Sequence, residues 1–222
     1  MMVMRRPARL VTHVLTVVLA LCCARAVLAA SPGDVQHRLH EASVNVGGGC
    51  SGVLTEGPDL IVTARHCVTG KSVLDIRFSN GLVRTGYVVA TDEVADQAVL
   101  LLETPVPVTP LTLVRSAPVD GTILYFEGNP HDPRFQEAKL DHSGTCPSLP
   151  RLSNALFTTI RGVPGDSGSP LVDAAGRIVG LVHGGAQCAI ATPANTLVRL
   201  IDRVLGPGEV QVTRAAALPG LS

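Results

Sequence analysis

Short apolar or alternating runs, separated by turn residues, recur along the chain from residue 51 onward. Runs of this length are typical of β-strands when Gly, Pro, Asn and Asp bound them, because Gly and Asn tolerate positive φ and Pro presets φ in the intervening turns. We therefore predict an all-β protein with strands over Ser51–Leu54, Leu60–Thr63, Val73–Phe78, Val83–Thr91, Ala98–Leu102, Thr122–Phe126, Ala155–Ile160, Ile178–His183 and Ala189–Thr192.

One segment has convincing helical periodicity, near the C-terminus. Asn195 is in position to cap a helix, and Gly206-Pro207 would stop it. Its apolar residues fall on one stripe, namely Leu197, Leu200, Ile201 and Leu205. Residues 208–222 have no such pattern, so we expect a loosely held C-terminal tail after a domain over residues 31–207.

Residues 1–30 have the pattern of a secretory signal peptide. Three arginines precede a largely apolar run that begins at Leu10, and small residues follow it. The competing interpretation is a membrane anchor, but the run is too short to span a bilayer comfortably and Arg25 interrupts it. We expect cleavage that leaves Ala30 or Ser31 first, and a secreted or periplasmic protein that does not remain in the membrane.

Composition favours a globular domain and argues against a nucleic-acid partner. The 222 residues are 46% hydrophobic, enough for a sizeable core in one or two domains. Without the first 30 residues, 14 basic and 18 acidic residues remain, so the mature chain is mildly acidic. No basic stripe is present, there is no Trp, and only 3% of residues are aromatic, which leaves a nucleic-acid function little support.

Four cysteines remain after removal of the leader: Cys50, Cys67, Cys146 and Cys188. An even number in an exported chain favours disulfides over metal ligands. The sequence contains no Cys-x-x-Cys or His-x-x-x-His pair, so we expect no metal site and no cofactor.

Gly165-Asp166-Ser167-Gly168-Ser169-Pro170 is the strongest chemical signal. A serine nucleophile needs a tight turn whose backbone amides point at the reacting carbonyl, and glycines on both sides permit that turn. The same four central residues also occur in ordinary loops, so the motif alone leaves catalysis open.

His66 and Asp96 supply the remaining chemistry. His66 follows the apolar run at Leu60 and precedes Cys67; a bridge from Cys67 to Cys50 would clamp the histidine loop by about 3 kcal/mol. Cys146 and Cys188 are then left to pair with each other.

Asp96 stands immediately before an apolar strand, where a carboxylate is costly unless it is hydrogen-bonded. An imidazole N–H is a suitable partner for it. The neighbouring acids Asp92 and Glu93 lie further from the apolar run, and we expect them to be solvated.

Thr63-Ala64-Arg65-His66-Cys67, the Asp96 segment and the Ser167 motif, in this order, resemble the chymotrypsin or trypsin-like superfamily of serine proteases. Gly128-Asn129-Pro130 and the segment 189–195 are similar to HtrA-type periplasmic proteases, and the Ser167 motif is similar to glutamyl endopeptidases. The resemblance implies two six-stranded antiparallel β-barrels followed by the C-terminal helix. The Pro-rich stretch 104–118 would be the crossover between them, with the active site in the cleft.

The resemblance also implies residue roles. Ser167 would be the nucleophile, His66 the general base and Asp96 its orienting carboxylate, with the amides of Gly165 and Ser167 as the oxyanion hole. No basic residue followed by Ile-Val-Gly-Gly precedes Cys50, so the cleavage that frees a partner for the Asp before the serine is not evident. The partner of Asp166 stays open, with Arg161 or another basic group as candidates.

Substrate preference is expected from the residues that would line the specificity pocket. Six residues before the serine stands Arg161, which has the wrong charge for selecting Lys or Arg. The implied walls are Gly184 and Gly185, with Ala189 near the floor, leaving an open slot for small or apolar side chains. Arg161, helped by His183, would alternatively receive an acidic side chain, unless it turns away to Asp166 or to solvent.

These features predict an exported serine endopeptidase that acts on proteins or peptides through an acyl-enzyme. The sequence is also compatible with two alternatives. One is a protease-fold binding protein without turnover, and the other is an esterase that uses the same triad.

Overall fold

The protein is described from a computed structural model that covers residues 30–128, 132–183 and 187–206. The predicted signal peptide up to residue 29, Asn129, Pro130, the pocket residues Gly184 and Gly185, and the predicted tail lie outside the described residues. None of the helices in the described part is long and apolar enough to cross a membrane.

Twelve strands form two closed antiparallel barrels of six strands each, as predicted. In the first barrel the strand order is β1-β2-β3-β6-β5-β4 and in the second it is β10-β11-β12-β9-β8-β7. Their bounds are β1 Ser43–Val46, β2 Cys50–Leu54, β3 Leu60–Ala64, β4 Val73–Phe78, β5 Val83–Asp92, β6 Gln97–Leu102, β7 Ile123–Gly128, β8 Arg134–Gly144, β9 Ala155–Thr158, β10 Pro170–Val172, β11 Ile178–His183 and β12 Ile190–Pro193.

The crossover between the barrels runs from residue 103 to residue 122 and contacts both of them. Leu111 bridges to Thr55 at the end of the first barrel, and Leu113 bridges to Ile178 of the second. Leu111 is buried, whereas Val119 further along is 77% exposed. The crossover therefore packs against both barrels around Leu111 and is exposed around Val119.

Two helices, one before the first barrel and one after the second, each pack against the barrel that is distant in sequence. Helix α1, Pro32–Ala42, precedes the first barrel but packs against β7 of the second. Its His40 Nδ1 lies 2.8 Å from Glu127 Oε1, and its Arg38 donates to the Gly176 carbonyl at 3.2 Å. Helix α2, Ala194–Leu205, follows the second barrel and packs against β5 and β6 of the first as well as against β11. Each barrel is thus covered in part by the terminal helix of the other half.

The apolar core has a layer in each barrel, a third layer between the barrels and a small fourth cluster around Cys146. The third layer takes Leu39 from α1 and Leu197, Leu200 and Ile201 from α2. It also takes residues from both barrels, among them Val53, Leu60, Val62, Val172, Ile178 and Leu181. Burial of this layer fixes how the barrels dock, and hence the shape of the cleft between them.

The structure corrects the predicted elements: strands β1, β8 and β10 were not predicted, and both helices differ from the prediction. Helix α1 was not predicted, because it buries Val35, Leu39 and Ala42 but is otherwise polar. It starts with a capping box in which Ser31 Oγ accepts from the Asp34 amide at 3.2 Å. Asn195 is not the N-cap of α2, since the helix begins one residue earlier with Pro193 at the cap. The predicted apolar stripe of α2 does face the core.

Candidate active site

His66 lies in a tight turn directly after β3, which we call the histidine turn, Arg65–Cys67. All five residues of β3 are buried, so the strand that carries the turn is fixed in the first barrel. A disulfide joins Cys67 to Cys50 at the start of β2, with an S–S distance of 2.05 Å, which is the predicted pairing. The histidine turn is therefore tied covalently to its own barrel.

Asp96 reaches the same place from the strand that pairs with β3. The register sets Ala64 opposite Gln97, so the residues just beyond these strand ends are neighbours. The Arg65 amide donates to the Asp96 carbonyl at 2.9 Å, and the His66 amide donates to Asp96 Oδ1 at 3.0 Å. His66 Nδ1 lies 2.6 Å from Asp96 Oδ2, which assigns the Nδ1 proton to this contact and leaves Nε2 as the proton acceptor.

The backbone of Asp96 is in the left-handed region, with φ of 51°. This conformation costs free energy for a residue with a side chain, although Asp tolerates it better than most. Its side chain is buried and is held by the amide and Nδ1 of His66, while the Arg65 amide holds its carbonyl.

Gln97 anchors this region to the second barrel. Its side chain is fully buried and donates to Thr192 Oγ1 and to the Pro193 carbonyl, both at 3.0 Å. Thr196 Oγ1 in α2 donates to Gln97 Oε1 at 2.8 Å. Because Gln97 follows Asp96, this network couples the position of the carboxylate to β12 and α2.

Ser167 lies in a turn between β9 and β10, which we call the nucleophile turn, residues 163–169. Gly165 has φ of 101° and Gly168 has φ of 86°, as a turn with flanking glycines requires. A Cβ at Gly168 would overlap the Ser51 carbonyl oxygen and the Thr63 hydroxyl. The glycine therefore lets the nucleophile turn approach the first barrel at backbone contact distance.

Ser51 of β2 holds the nucleophile turn by two hydrogen bonds across the cleft. Its hydroxyl donates to the Gly165 carbonyl at 2.6 Å, and its amide donates to the Ser167 carbonyl at 2.9 Å. On the other side, the Gly168 amide donates to the Val182 carbonyl at 2.8 Å. The peptide group before Asp166 is thereby held by the first barrel, and the peptide group after Ser167 is held by both barrels.

Asp166 is fully buried and pairs with Arg134 of β8. One guanidinium nitrogen of Arg134 lies 3.0 Å from Oδ1 and 2.8 Å from Oδ2 of the carboxylate. The Val163 amide adds a third contact at 2.7 Å. Gly128, opposite Arg134 in the β7–β8 pair, makes room, because a Cβ there would overlap the Asp166 carboxylate. Of the alternatives left open, the partner is another basic group, Arg134, while Arg161 is exposed.

His183 at the end of β11 contacts the carboxylate of Asp96. Its Nδ1 lies 3.3 Å from Asp96 Oδ2, and its ring centroid is 5.1 Å from that of His66. Burial lowers the pKa of His183; the Asp96 carboxylate opposes this shift and the neighbouring His66 adds to it. At neutral pH the imidazole of His183 is therefore uncharged.

Of the other predicted pocket residues, Arg161 and Ala189 belong to the described part of the chain. Arg161 is exposed, and its carbonyl accepts from Gln136 Nε2 at 3.5 Å. Ala189 is exposed, and its carbonyl accepts from the Thr158 amide at 2.9 Å. A disulfide of 2.16 Å joins Cys188, next to Ala189, to Cys146, again the predicted pairing.

Sequence reasoning missed three features of this site: the Ser51 clamp, the Arg134 partner of Asp166, and the contact of His183 with Asp96. Ser51 and Gly165 are 114 residues apart, and Arg134 and Asp166 are 32 apart. Neither Ser51 nor Arg134 belongs to a motif. The proximity of Ser51 to Cys50 was the one local signal that pointed toward the site.

Comparison with known proteins agrees with this architecture. The family model described as the trypsin-like peptidase domain matches residues 50–181, more than half of the chain. Serine protease HTRA2, mitochondrial, of Bos taurus is 31% identical over 142 residues, 59% of this chain and 30% of that protein. Putative serine protease HhoA of Synechocystis is 28% identical over 152 residues, 61% of this chain and 36% of that protein.

A third relative, serine protease Do-like HtrB of Bacillus subtilis, is 26% identical over 168 residues, 68% of this chain and 36% of that protein. The chain thus spans about one third of the length of these curated relatives. The crystal structure of Deg5 superposes with a TM-score of 0.64 and 21% identity, over 75% of this chain and 90% of that chain, which is a likeness in fold. From the matched domain and the two closed barrels, we conclude that this chain belongs to the trypsin-like peptidase family of serine proteases.

Proposed function

We propose that the protein is an exported serine endopeptidase in which Ser167, His66 and Asp96 form the catalytic triad. The observation that carries the proposal is the 2.6 Å contact of His66 Nδ1 with Asp96 Oδ2, beside a glycine turn that holds Ser167. Cys67, the residue after His66, has its Sγ 3.8 Å from the Ser167 carbonyl oxygen. The histidine turn and the nucleophile turn are therefore in direct contact.

In the proposed reaction Ser167 Oγ attacks the scissile carbonyl carbon, and its proton passes to His66 Nε2. The negative charge that develops on the carbonyl oxygen is stabilised by the amides of Gly165 and Ser167. His66 then gives the proton to the leaving amine, and the acyl-enzyme remains on Ser167. A water molecule repeats the sequence with His66 as base, which releases the acid and restores the hydroxyl.

Arg134 supports a further part of the proposal, namely that the nucleophile turn takes its active conformation without cleavage of the chain. Asp166 already has a cationic partner within the fold, at 2.8 Å. A new α-ammonium group is then not needed to orient this carboxylate. We expect the same activity from protein with a free and with a blocked mature N-terminus.

The exported location is supported by the leader sequence and by both disulfides, which persist in oxidising compartments. N-terminal sequencing of protein recovered from outside the cytoplasm tests this directly. We expect the mature chain to begin at Ala30 or Ser31. Recovery of an uncleaved chain in the cytoplasm would contradict it.

For the substrate we propose proteins or peptides with a small or apolar residue before the scissile bond, an acidic residue being the next preference. Arg161 is exposed, so it is available to an acidic side chain of the substrate. Because this position holds an arginine and not an acid, we expect no preference for Lys or Arg. A peptide-library digest with Arg161→Gln as partner variant tests the order. Predominant cleavage after Lys or Arg would refute the proposed pocket.

A fluorophosphonate probe and casein together test the activity. We expect labelling and proteolysis, and the loss of both in Ser167→Ala; Ser143→Ala, which changes an exposed serine of β8, is the matched control. Labelling without proteolysis would favour an esterase or a very restricted protease. Absence of both in folded protein would favour a binding protein that retains the protease fold.

A further inference from the structure

Two histidines meet one carboxylate at the candidate active site. His66 Nδ1 lies 2.6 Å and His183 Nδ1 3.3 Å from the same oxygen of Asp96, Oδ2. One donor atom from each of the three residues lies within 4.8 Å of the other two. Two imidazole nitrogens and a carboxylate oxygen are a common donor set for zinc in proteins.

His183 Nδ1 is buried and has no hydrogen-bond partner among the described residues. It lies 3.3 Å from Asp96 Oδ2 but makes no hydrogen bond to it. A buried polar atom without a partner costs free energy, and a bound ion is one of the usual reasons for such an atom in a native site. Cys50 and Cys67 also lie near His66, but their disulfide removes them as ligands.

We propose that His66, Asp96 and His183 bind a divalent transition-metal ion of the Zn²⁺ type and that this ion inhibits the enzyme reversibly. Ligand distances of about 2.1 Å in a tetrahedral site put neighbouring donor atoms about 3.4 Å apart. His183 and Asp96 already have this separation, and His66 has to move away from Asp96 by less than about 1 Å. The His66 side chain is 40% exposed, so an ion reaches the site from the cleft and keeps a water as fourth ligand.

Inhibition follows from the position of the ion. An ion on His66 Nδ1 binds the tautomer that carries the ring proton on Nε2, so the proton moves from Nδ1 to Nε2 through solvent and Nε2 can no longer accept the proton of Ser167. Asp96 then no longer orients His66 as a base for Ser167. This consequence rests on the proposed function, whereas binding of the ion does not.

Binding is tested in the Ser167→Ala protein, which keeps all three ligands. Equilibrium dialysis against Zn²⁺ should give one ion per chain at micromolar concentration, and Co²⁺ should give the visible absorption of a tetrahedral site. His183→Gln should weaken binding by about 100-fold, as expected for the loss of one ligand in three. His183→Ser serves as a second variant should the glutamine not pack, and His142→Gln, an exposed histidine of β8, should bind as the parent does.

Inhibition is tested in the wild-type protein by the rate of fluorophosphonate labelling with Zn²⁺, with Zn²⁺ plus EDTA, and with Mg²⁺. We expect Zn²⁺ to slow labelling, EDTA to restore it, and Mg²⁺ to have no effect, because Mg²⁺ prefers six oxygen ligands. Equal Zn²⁺ binding in the His183 variants and their parent would overturn the metal site, as would no binding at all. Binding without any labelling of metal-free protein would instead overturn the proposed function and leave the metal site intact.

Discussion

The histidine turn and the nucleophile turn meet at the cleft but are held by different means. The histidine turn is fixed within the first barrel, by the Cys50–Cys67 disulfide and by the paired ends of β3 and β6. The nucleophile turn depends on non-covalent contacts, from Ser51 of the opposite barrel and from Arg134 of its own. Changes to the docking of the barrels should therefore disturb Ser167 well before they disturb His66.

The largest expected effect is on the histidine side, from Asp96→Asn. An amide cannot hold His66 with its proton on Nδ1, so kcat should fall by about 10⁴-fold, equivalent to about 5.5 kcal/mol in the activation barrier. Steady-state kinetics on a peptide ester measures this, with Asp75→Asn, an exposed aspartate of β4, as control. A loss below about tenfold would contradict the role of Asp96.

The two disulfides separate stability from catalysis. By loop-closure entropy, Cys146→Ala with Cys188→Ala should cost about 4 kcal/mol of unfolding free energy, and Cys50→Ala with Cys67→Ala about 3 kcal/mol. The order for kcat should be the reverse, because Cys67 adjoins His66. Loss of the Cys146–Cys188 disulfide should mainly change KM, because Cys188 adjoins the predicted pocket residue Ala189. Denaturant unfolding and steady-state kinetics on both double variants measure these effects. If the variant that loses more unfolding free energy also loses more kcat, the proposed separation of stability from catalysis is wrong.

Arg134→Met tests the ion pair under the nucleophile turn. The buried carboxylate of Asp166 would lose its cationic partner, so we expect a loss of about 3 kcal/mol of unfolding free energy and a lower kcat. One nitrogen of Arg134 makes both contacts, so Arg134→Lys should retain most of the activity. Lys139→Met, which changes an exposed cation of the same strand β8, is the matched control. Equal effects of the Arg134 and Lys139 changes would refute the assignment.

Ser51→Ala should give the smallest effect and tests the clamp across the cleft. The variant loses the hydroxyl bond to Gly165 but keeps the amide bond to Ser167, so about 1 kcal/mol of stability should be lost. The nucleophile turn should become less rigid as well, lowering kcat by about tenfold with little change in KM. Unaltered kcat in a destabilised variant would mean that Ser51 supports the fold alone.

Much of the fold was predictable because β-strands leave local signals. The nine predicted strands all correspond to observed ones, within three residues at either end. The missed strands have physical reasons. Strand β10 has three residues, β1 has four, and β8 is largely polar, with most of its side chains in contact with solvent. Helix α1 was missed because it has only three buried apolar residues and they are buried by packing near β7, which is far away in sequence.

The candidate site divides in the same way. His66, Asp96 and Ser167 stand in local motifs, and the sequence alone identified them as candidates. Arg134 and Ser51 act on backbone and side chains that only barrel closure and barrel docking bring near. The metal-binding potential of His183 likewise arises from tertiary proximity to Asp96, which no spacing of histidines in the sequence reveals.

The exchange of terminal helices makes the molecule a natural candidate for a split reporter. A cut near the exposed Val119 would leave one fragment with α1, whose docking site is on the other fragment, and a second fragment with α2, which docks back on the first. Each fragment would thus bind the other through its own terminal helix. Because His66 and Ser167 would then reside on different polypeptides, hydrolysis of a chromogenic peptide would report the association of any two proteins fused to the halves.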